Sequence, residues 1–239
     1  MQLVDSHCHL FEIKKYEVPD DILPVVAGFS HGSNRKAAEL AKREGYPFTL
    51  GIAPQQAIRE DLSGLEGWVE FIREAGPNAV GEVGLDYKWA KNAGDVKKQK
   101  IVFQRMIELS DEMNVPLVIH SRNNPSENEV PKNAIDEIIE MVGGREVLMH
   151  FFSGTAGQAA RIVENGGYIS IIHLHSKQRR KVINNIMLDR LLVESDSPYV
   201  GRTPESVREA VSYIAEVKGI GFDEVARQTT ENAKRFFRF

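Results

Sequence analysis

The feature of this sequence that most constrains its fold is an eightfold alternation of short apolar runs with amphipathic stretches. Runs this short, bounded by turn residues, predict buried strands, and most are separated by segments with helical spacing of apolar residues. Strands that alternate with helices form parallel sheets, so eight units predict an α/β fold, a (β/α)₈ or TIM barrel. An open, doubly wound sheet is the alternative, because periodicity does not distinguish closure from opening. The runs are QLVDSH, LPVVAGFS, FTLGIAP, NAVGEVGLD, VPLVIHS, EVLMHFFSG, GGYISIIHLH and RLLVESD.

The length of the chain fits one barrel. Its 239 residues contain no linker rich in proline, glycine or serine, so we expect residues 1–239 to form a single domain. The first strand–helix unit is shortened, because FEIKKYEVPDDI is too short and too interrupted by proline for a full crossover helix.

Charge and cysteine content limit the function classes. A formal net charge of −4 gives no general attraction to nucleic acid, so any such binding needs a local basic patch. The single cysteine excludes an internal disulfide and fits a reducing compartment. We also find no basic segment followed by an apolar one at the N-terminus, and no apolar run near the length of a membrane span. We therefore expect a cytoplasmic protein without membrane spans.

Unusual polar residues lie where the predicted strands end. In VDSHCHL, alternation puts Asp5, His7 and His9 on one face of a strand, with Val4, Ser6 and Cys8 on the other. Barrel enzymes carry their chemistry at the carboxyl ends of the strands, so we expect the side chains found there to meet around one mouth. Four imidazoles and two carboxylates suit Zn, Mn, Fe or Co, and suit a Mg-only site less well. The six are His7, His9, Glu82, His120, His150 and Asp196.

Other residues near the predicted mouth have less specific interpretations. We interpret His31, His173 and His175 as solvated loop residues, with substrate binding as the alternative, and we do not expect His173 and His175 to bind metal. We interpret Cys8 as a buried, inert thiol. SKQRRK is the densest basic cluster and is either an ordinary solvated helix face or a patch that faces phosphate. Its cations are Lys177, Arg179, Arg180 and Lys181.

Seven segments together resemble those of the TatD-type metal-dependent hydrolases, deoxyribonucleases within the amidohydrolase-like group of TIM barrels. The resemblance runs through the whole chain and implies two divalent metal ions. It implies that His7, His9 and Asp196 hold one ion, that His120 and His150 hold the other, and that Glu82 bridges them. The segments are DSHCHL, GEVGLDY, PLVIHSR, HFFSG, GGYIS, LDRLLVESDSPYV and TTENAKRFF.

The resemblance also implies a mechanism. Asp196 is expected to act as general base and Glu82 as the metal bridge. Arg122 is expected to hold a phosphate oxygen with its planar guanidinium, and Ser153 to donate to phosphate or shape a turn.

Neighbouring residues are expected to support this set. Asp5 is expected to hydrogen-bond a ligand imidazole, and Asp86 and Tyr87 are expected to support the site from outside the ligand set. The implied substrate is DNA, as single strands or ends, with no membrane and no obligate protein partner.

The sequence departs from the family pattern in ways that leave the substrate open. Ala53 stands where the family usually has histidine, Phe151 stands for a cysteine, and the loop after Tyr199 is shorter than usual. A hydrolase of an aminoacyl ester, amide or lactone is therefore one alternative. A barrel that binds metal or nucleic acid without turnover is an alternative of another class.

Overall fold

A computed structural model describes residues 2–126 and 128–239. It contains an eight-stranded sheet in which each strand pairs in parallel with the next along the chain. The strands are β1 (Leu3–Cys8), β2 (Ile22–Ala27), β3 (Phe48–Leu50), β4 (Ala79–Asp86), β5 (Leu117–Arg122), β6 (Val147–Met149), β7 (Tyr168–Ile171) and β8 (Leu191–Val193).

Backbone hydrogen bonds bring the end of this sheet back to its beginning. The N–H of Asp196 donates to the carbonyl of His7 at 3.0 Å, and the N–H of His9 donates to the carbonyl of Ser197 at 2.7 Å. The segment after β8 therefore lies beside β1, and the sheet curls into a barrel. The predicted TIM barrel is confirmed, and the open doubly wound sheet is wrong.

Helices connect the strands as the alternation predicts. Between β1 and β2 the described chain has only a 3₁₀ turn, Leu10–Glu12, so the prediction of a shortened first unit is confirmed. The short helix α2, which follows β3, was not predicted. The helices are α1 (His31–Glu44), α2 (Pro54–Arg59), α3 (Leu65–Ala75), α4 (Ala93–Met113), α5 (Ala134–Val142), α6 (Ala156–Glu164), α7 (Lys177–Asn185), α8 (Val207–Lys218) and α9 (Phe222–Phe237).

The apolar core has two parts. The larger part joins the strands to the surrounding helices. The smaller part fills the barrel at the amino ends of the strands, where Val4, Val118 and Leu192 pack with Phe236 and Phe237 of α9. Because one end of the barrel is filled, the carboxyl ends of the strands form the mouth.

The first strand does not keep a simple alternation of faces. Its register with β2 shifts between Asp5 and Cys8. Val4 packs in the core at the base of the barrel, whereas Cys8 packs in the larger core. The expectation that these two residues share a face is therefore wrong, because a shift in register re-aims the side chains that follow it.

Among the described residues, none of the helices combines the length and the apolar character that a membrane span requires.

Gly84 sets how closely β4 approaches β5 beneath the mouth. It pairs with His120, and its φ of +136° lies where side chains are strained. A Cβ at this position would lie 2.1 Å from the carbonyl oxygen of His120. Only glycine therefore lets the strand that carries Glu82 lie beside the strand that carries His120.

We expect Gly84→Ala to lower the free energy of unfolding by at least about 1–3 kcal/mol, through both backbone strain and the clash. Gly67→Ala is the control, because a Cβ at this position in α3 meets nothing within 4 Å. That change should stabilise the helix by roughly 0.5–1 kcal/mol. Urea denaturation of both metal-free variants measures the difference, and equal midpoints would contradict this account of the β4–β5 contact.

Candidate metal centre

The six predicted ligands lie together at the mouth of the barrel. His7, Glu82 and His120 lie in β1, β4 and β5; His9 and His150 directly follow β1 and β6, and Asp196 is the third residue after β8. All but His120 are buried, although imidazole and carboxylate groups are rarely buried without a partner. The structure thus brings together side chains that are up to 189 positions apart in the sequence, from His7 to Asp196.

Three overlapping groups of these side chains have ligand atoms within 4.8 Å of one another. His7, Glu82 and His150 each belong to two of the groups, and among these three only Glu82 is a carboxylate, the ligand type that can bridge two ions. Asp196 joins His7 and His150 in the third group, so it lies between the two halves of the cluster. The groups are His7–His9–Glu82, Glu82–His120–His150 and His7–His150–Asp196.

His9 is held by its outer ring nitrogen. Its Nδ1 lies 2.8 Å from the carbonyl oxygen of Ala27, at the end of β2. A carbonyl only accepts, so Nδ1 carries a proton and Nε2 is the nitrogen available to bind a metal. That Nε2 lies 3.4 Å from Oδ1 of Asp196 and points into the cluster. A backbone contact of this kind fixes the tautomer of a metal-binding imidazole.

His120 is held between two carboxylates. Its Nε2 lies 2.9 Å from Oδ2 of Asp86, and its Nδ1 lies 2.7 Å from Oε1 of Glu82. Asp86 is fully buried and also accepts a hydrogen bond from Nε2 of Gln55 at 2.7 Å. Asp86 therefore orients His120 from outside and leaves Nδ1 directed at Glu82, as a supporting carboxylate does in metal sites.

His150 is supported by Glu194, which we did not single out from the sequence. Nδ1 of His150 lies 2.9 Å from Oε1 of Glu194, out of line for a hydrogen bond. The same carboxylate oxygen accepts the N–H of Phe151 at 2.7 Å. Glu194 is fully buried, so its charge acts on His150 at close range.

His7 provides the test of whether these residues suit a metal. It is fully buried, and neither of its ring nitrogens has a hydrogen-bond partner among the described residues. Its Nε2 lies 3.7 Å from Oε2 of Glu82, and its ring stacks on that of His150 with centroids 3.7 Å apart. A buried imidazole without a partner is costly, and a cation in contact with it would remove that cost. The donor set therefore fits divalent metal.

The charges of the cluster are strongly coupled. Burial, with His150 and His9 nearby, holds the pKa of His7 well below its usual range, so the ring is neutral. Burial opposes ionisation of Glu82, but the hydrogen bond and charge of His120 outweigh it and hold that pKa well below the usual range.

The other three imidazoles are shifted in the opposite direction. Burial opposes protonation of His9, but its contact with the Asp196 carboxylate raises its pKa. Burial opposes protonation of His120, but its hydrogen bonds to Asp86 and Glu82 raise its pKa to about 9. In His150, the charge of Glu194 overcomes burial and raises the pKa to about 10. In the metal-free protein, protons on His120 and His150 therefore balance the buried carboxylates.

Asp5 does not orient an imidazole, contrary to our expectation. It accepts hydrogen bonds from the N–H of Ser195 at 2.9 Å, from Oγ of Ser195 at 2.5 Å and from the N–H of His7 at 3.3 Å. Burial raises its pKa to about 8. The register shift in β1 explains the difference, because it separates the direction of Asp5 from that of the histidines. Asp5 instead ties β1 to the segment after β8.

Two of the predicted substrate residues lie beside the cluster. A small cavity of about 50 Å³ is lined by His120, Ser121, Arg122, His150, Phe151 and Ser153. Arg122 is partly exposed, and its Nη1 lies 3.9 Å from Oδ2 of Asp86. A larger cavity, about 610 Å³, lies between residues 10–18 and α1 and contains none of the six clustered side chains. Because candidate metal ligands line only the small cavity of these two, we assign the site to the small cavity.

The predicted basic cluster does not form one patch. Arg180 donates to Glu216 at 2.7 Å on the outside of the barrel. Arg179 is partly buried, its guanidinium lies 5.8 Å from the centroid of the Phe151 ring, and its Nε has no partner among the described residues. Lys177 and Lys181 line a separate cavity. Lys177 and Lys181, four residues apart, share one side of α7, and Arg179 and Arg180 project in other directions because the helix turns successive residues through about 100°.

The histidines outside the ligand set make other contacts, and His31 begins α1 instead of lying in a loop. His175 stacks on Tyr213 at 3.8 Å, and His31 contacts Arg35 and stacks on Trp68. Among the described residues, the groups able to hold a metal include neither these histidines nor His173. Cys8 is fully buried, and burial holds its pKa well above the usual range, which fits an inert thiol.

Gln55 is the other residue that sequence reasoning missed. It lies two positions after Ala53, and its Nε2 lies 3.2 Å from Nε2 of His120 as well as donating to Asp86. Ala53 itself is buried and makes no side-chain cap for α2. The proline that begins α2 is a signal for a helix start, and a helix predicted there would have placed Gln55 near the mouth. Tyr87, by contrast, reaches Glu137 of α5.

Comparison with known proteins agrees with the predicted resemblance. A family model described as TatD related DNase matches residues 4–238. The uncharacterized metal-dependent hydrolase YabD of Bacillus subtilis is 33% identical over 265 residues, which cover 99% of each chain. Human deoxyribonuclease TATDN3 is 30% identical over 267 residues, covering 98% of this chain and 94% of TATDN3.

A solved structure shares the fold. The crystal structure of YjjV, a TatD homologue from Escherichia coli K12, matches with a TM-score of 0.83 and 21% identity, covering 99% of this chain and 98% of YjjV. At this identity the match supports the barrel architecture.

We expect Glu82→Ala to abolish tight binding of a metal pair, because Glu82 belongs to two of the three ligand groups. The double variant His173→Ala with His175→Ala is the control and should keep the metal content of the unmodified protein. Metal analysis after matched loading and desalting measures both. Unchanged content in the Glu82 variant, or loss in the control, would show that the ligands are assigned wrongly.

We expect metal affinity to rise with pH. The pKa values of His120 and His150, about 9 and about 10, lie above neutrality, so both rings must lose protons before they can bind metal. Each proton released should tighten the apparent dissociation constant by about tenfold per pH unit. Competition with a chelator of known pH dependence, between about pH 6 and 8, measures the slope. A flat profile would contradict this charge balance.

Proposed function

Because the chain belongs to the TatD family and is a metal-dependent hydrolase, we propose that it is a deoxyribonuclease. In this proposal it hydrolyses phosphodiester bonds of DNA, in single strands or at ends, with two divalent metal ions at the mouth of the barrel. The name of the human relative, deoxyribonuclease, supports the substrate class. The cytoplasmic location is part of the same proposal and rests on the single, buried cysteine.

The six clustered side chains are the residues that would hold the ions. His7, His9 and Asp196 would serve one, His120 and His150 the other, with Glu82 shared between them. Nitrogen and oxygen donors in this ratio favour Zn, Mn, Fe or Co, with Mg less favoured. Bound here, such ions would acidify water and neutralise charge on the phosphate of the substrate.

The chain's own side chains divide the remaining work. Asp196 lies between the halves of the cluster and is 7% exposed, so it can orient an attacking water and accept its proton. Arg122 can donate to the non-bridging phosphate oxygens through the planar fork of its guanidinium. Ser153 stands at the rim of the same cavity, on a loop that Gln178 secures through hydrogen bonds to the carbonyls of Ser153 and Gly154.

One observation carries the proposal of a phosphate substrate. Arg122 and Ser153 share a cavity with His120 and His150. The described structure gives Arg122 only a long contact, 3.9 Å, to Asp86, so most of its donors are open to a ligand. The reacting group of a carboxylic ester, amide or lactone carries no negative charge for a guanidinium to bind, whereas a phosphodiester has one negative charge shared by two non-bridging oxygens.

The test of the proposal is hydrolysis of single-stranded DNA by protein loaded in turn with Mg, Mn, Co or Zn. A simple phosphodiester, an aminoacyl ester, an amide and a lactone are assayed alongside, with the Glu82→Ala variant as the inactive reference. Cleavage of DNA above all other substrates supports the deoxyribonuclease. Preferred turnover of the ester, amide or lactone would replace it with the hydrolase of a non-phosphate bond.

We expect Arg122→Lys to lower kcat/KM for DNA by roughly 10- to 100-fold with unchanged metal content, because an ammonium cannot reproduce the planar pair of donors. Arg180→Lys is the matched control, since Arg180 is paired with Glu216 outside the mouth. Its kinetics should match those of the unmodified protein. Equal behaviour of the two variants would remove Arg122 from the phosphate site.

A further inference from the structure

Two exposed aromatic rings lie at the rim of the metal centre and belong to none of the three ligand groups. Trp89 follows β4 and is 44% exposed, and Tyr199 follows β8 and is 58% exposed. We infer that they form two stacking platforms for nucleobases, one on each side of the phosphodiester that is cleaved. This inference rests on the proposed function and goes further, because it specifies a substrate with unpaired bases on both sides of the bond.

The backbone of Trp89 is attached to the half of the site that contains His120. Its N–H donates to Oδ1 of Asp86 at 3.0 Å, and Oδ2 of the same carboxylate contacts His120 at 2.9 Å. The indole ring is therefore on the segment that orients a candidate ligand. Because the link uses the backbone of Trp89, the indole itself is not needed to support the ligand.

Arg59 holds the indole from α2. Its guanidinium carbon lies 5.2 Å from the centroid of the Trp89 ring. Arg59 is four residues after Gln55, so both lie on the face of α2 that is turned towards the site. Gln55 contacts Asp86, and Arg59 contacts Trp89. A cation beside a partly exposed indole suits a nucleotide, because the ring can stack on the base while the cation attracts the phosphate backbone.

Tyr199 lies against the other half of the site. Its ring centroid is 5.0 Å from that of His9. The ring of Phe29 contacts both, with centroid distances of 5.1 Å to His9 and 6.3 Å to Tyr199. The ring of Tyr199 thus covers a candidate ligand and still exposes more than half of its surface. An apolar ring with a polar tip in this position provides a second platform for a base.

Barrel geometry sets the two rings apart. Strands four positions apart in an eight-stranded barrel lie on opposite sides of its axis, and Trp89 and Tyr199 follow β4 and β8. The clustered carboxylates and imidazoles lie at the mouth between those strands. A strand of DNA that crosses this mouth can place its phosphodiester at the cluster and one base on each ring.

Paired bases stack on their neighbours within a duplex and present no free face to a protein ring. The arrangement therefore favours single strands or frayed ends over intact duplex, and it favours nucleotides over small esters. Stacking on aromatic side chains tolerates any base, so little sequence preference is expected.

The experiment pairs changes in the protein with changes in the substrate. The substrates are a single-stranded oligothymidylate and an oligonucleotide of the same length in which every base is replaced by a stable abasic residue. Trp89→Ala and Tyr199→Ala should each raise KM for oligothymidylate by roughly 5- to 100-fold, with a much smaller change in kcat. On the abasic backbone the increase should largely disappear. Trp89→Phe should recover much of the loss.

Phe222→Ala is the matched control. Phe222 is 37% exposed and begins α9, the helix whose other end fills the base of the barrel. It follows the carboxyl end of α8, which lies away from the mouth because helices run back along the barrel. This variant should keep the unmodified kinetics on both substrates. Equal loss on both substrates for Trp89→Ala and Tyr199→Ala, or no loss, would overturn the inference.

Fluorescence tests the platform without turnover. The chain has two tryptophans, so Trp68→Phe leaves Trp89 as the only indole. Oligothymidylate should quench its emission, and the abasic backbone should quench it much less. If the unmodified protein cleaves no DNA, the proposed deoxyribonuclease function is wrong. The fluorescence measurement alone then tests whether bases stack on Trp89. Absence of quenching would overturn the platform even if DNA is cleaved.

Discussion

The structure of the mouth depends on one buried carboxylate. Glu82 lies in β4 between His7 and His120, and the imidazoles around it keep it ionised despite its burial. A buried negative charge needs a compensating positive charge, either protons on the neighbouring rings or a metal ion. His120, His150 and their carboxylate partners Asp86 and Glu194 extend the same balance outward. The barrel therefore positions a network of buried carboxylates whose negative charge is balanced only when protons or metal ions are bound.

The architecture and the ligand cluster were predictable because both depend on residue types at strand ends. Apolar runs gave the strands, and the closed barrel then required His7, Glu82 and Asp196 to meet. The contacts that orient the ligands were less accessible from the sequence. Asp5 binds Ser195 instead of an imidazole because a shift in strand register re-aims it, and such a shift leaves no mark in the pattern of apolar residues.

Glu194 and Gln55 were missed for different reasons. Glu194 sits in a segment that carries the more conspicuous Asp196, and only its burial beside His150 gives it a role. Gln55 depends on a six-residue helix too short for a periodic signal. Its amide occupies the edge of the site near Ala53, where the family's histidine is absent. Gln55 thus gives Asp86 a neutral donor at the edge of the site.

The hydrogen bonds that close the barrel also determine when the site can exist. His7 and His9 are bonded through their backbones to Asp196 and Ser197, and Asp5 is bonded to Ser195. During synthesis the first histidines leave the ribosome long before the residues that complete their surroundings. Capture of metal by the finished centre is thereby delayed until the eighth strand has been made. A chain released early would carry most of the ligands and still lack the centre, so incomplete products would not be active hydrolases in the cell.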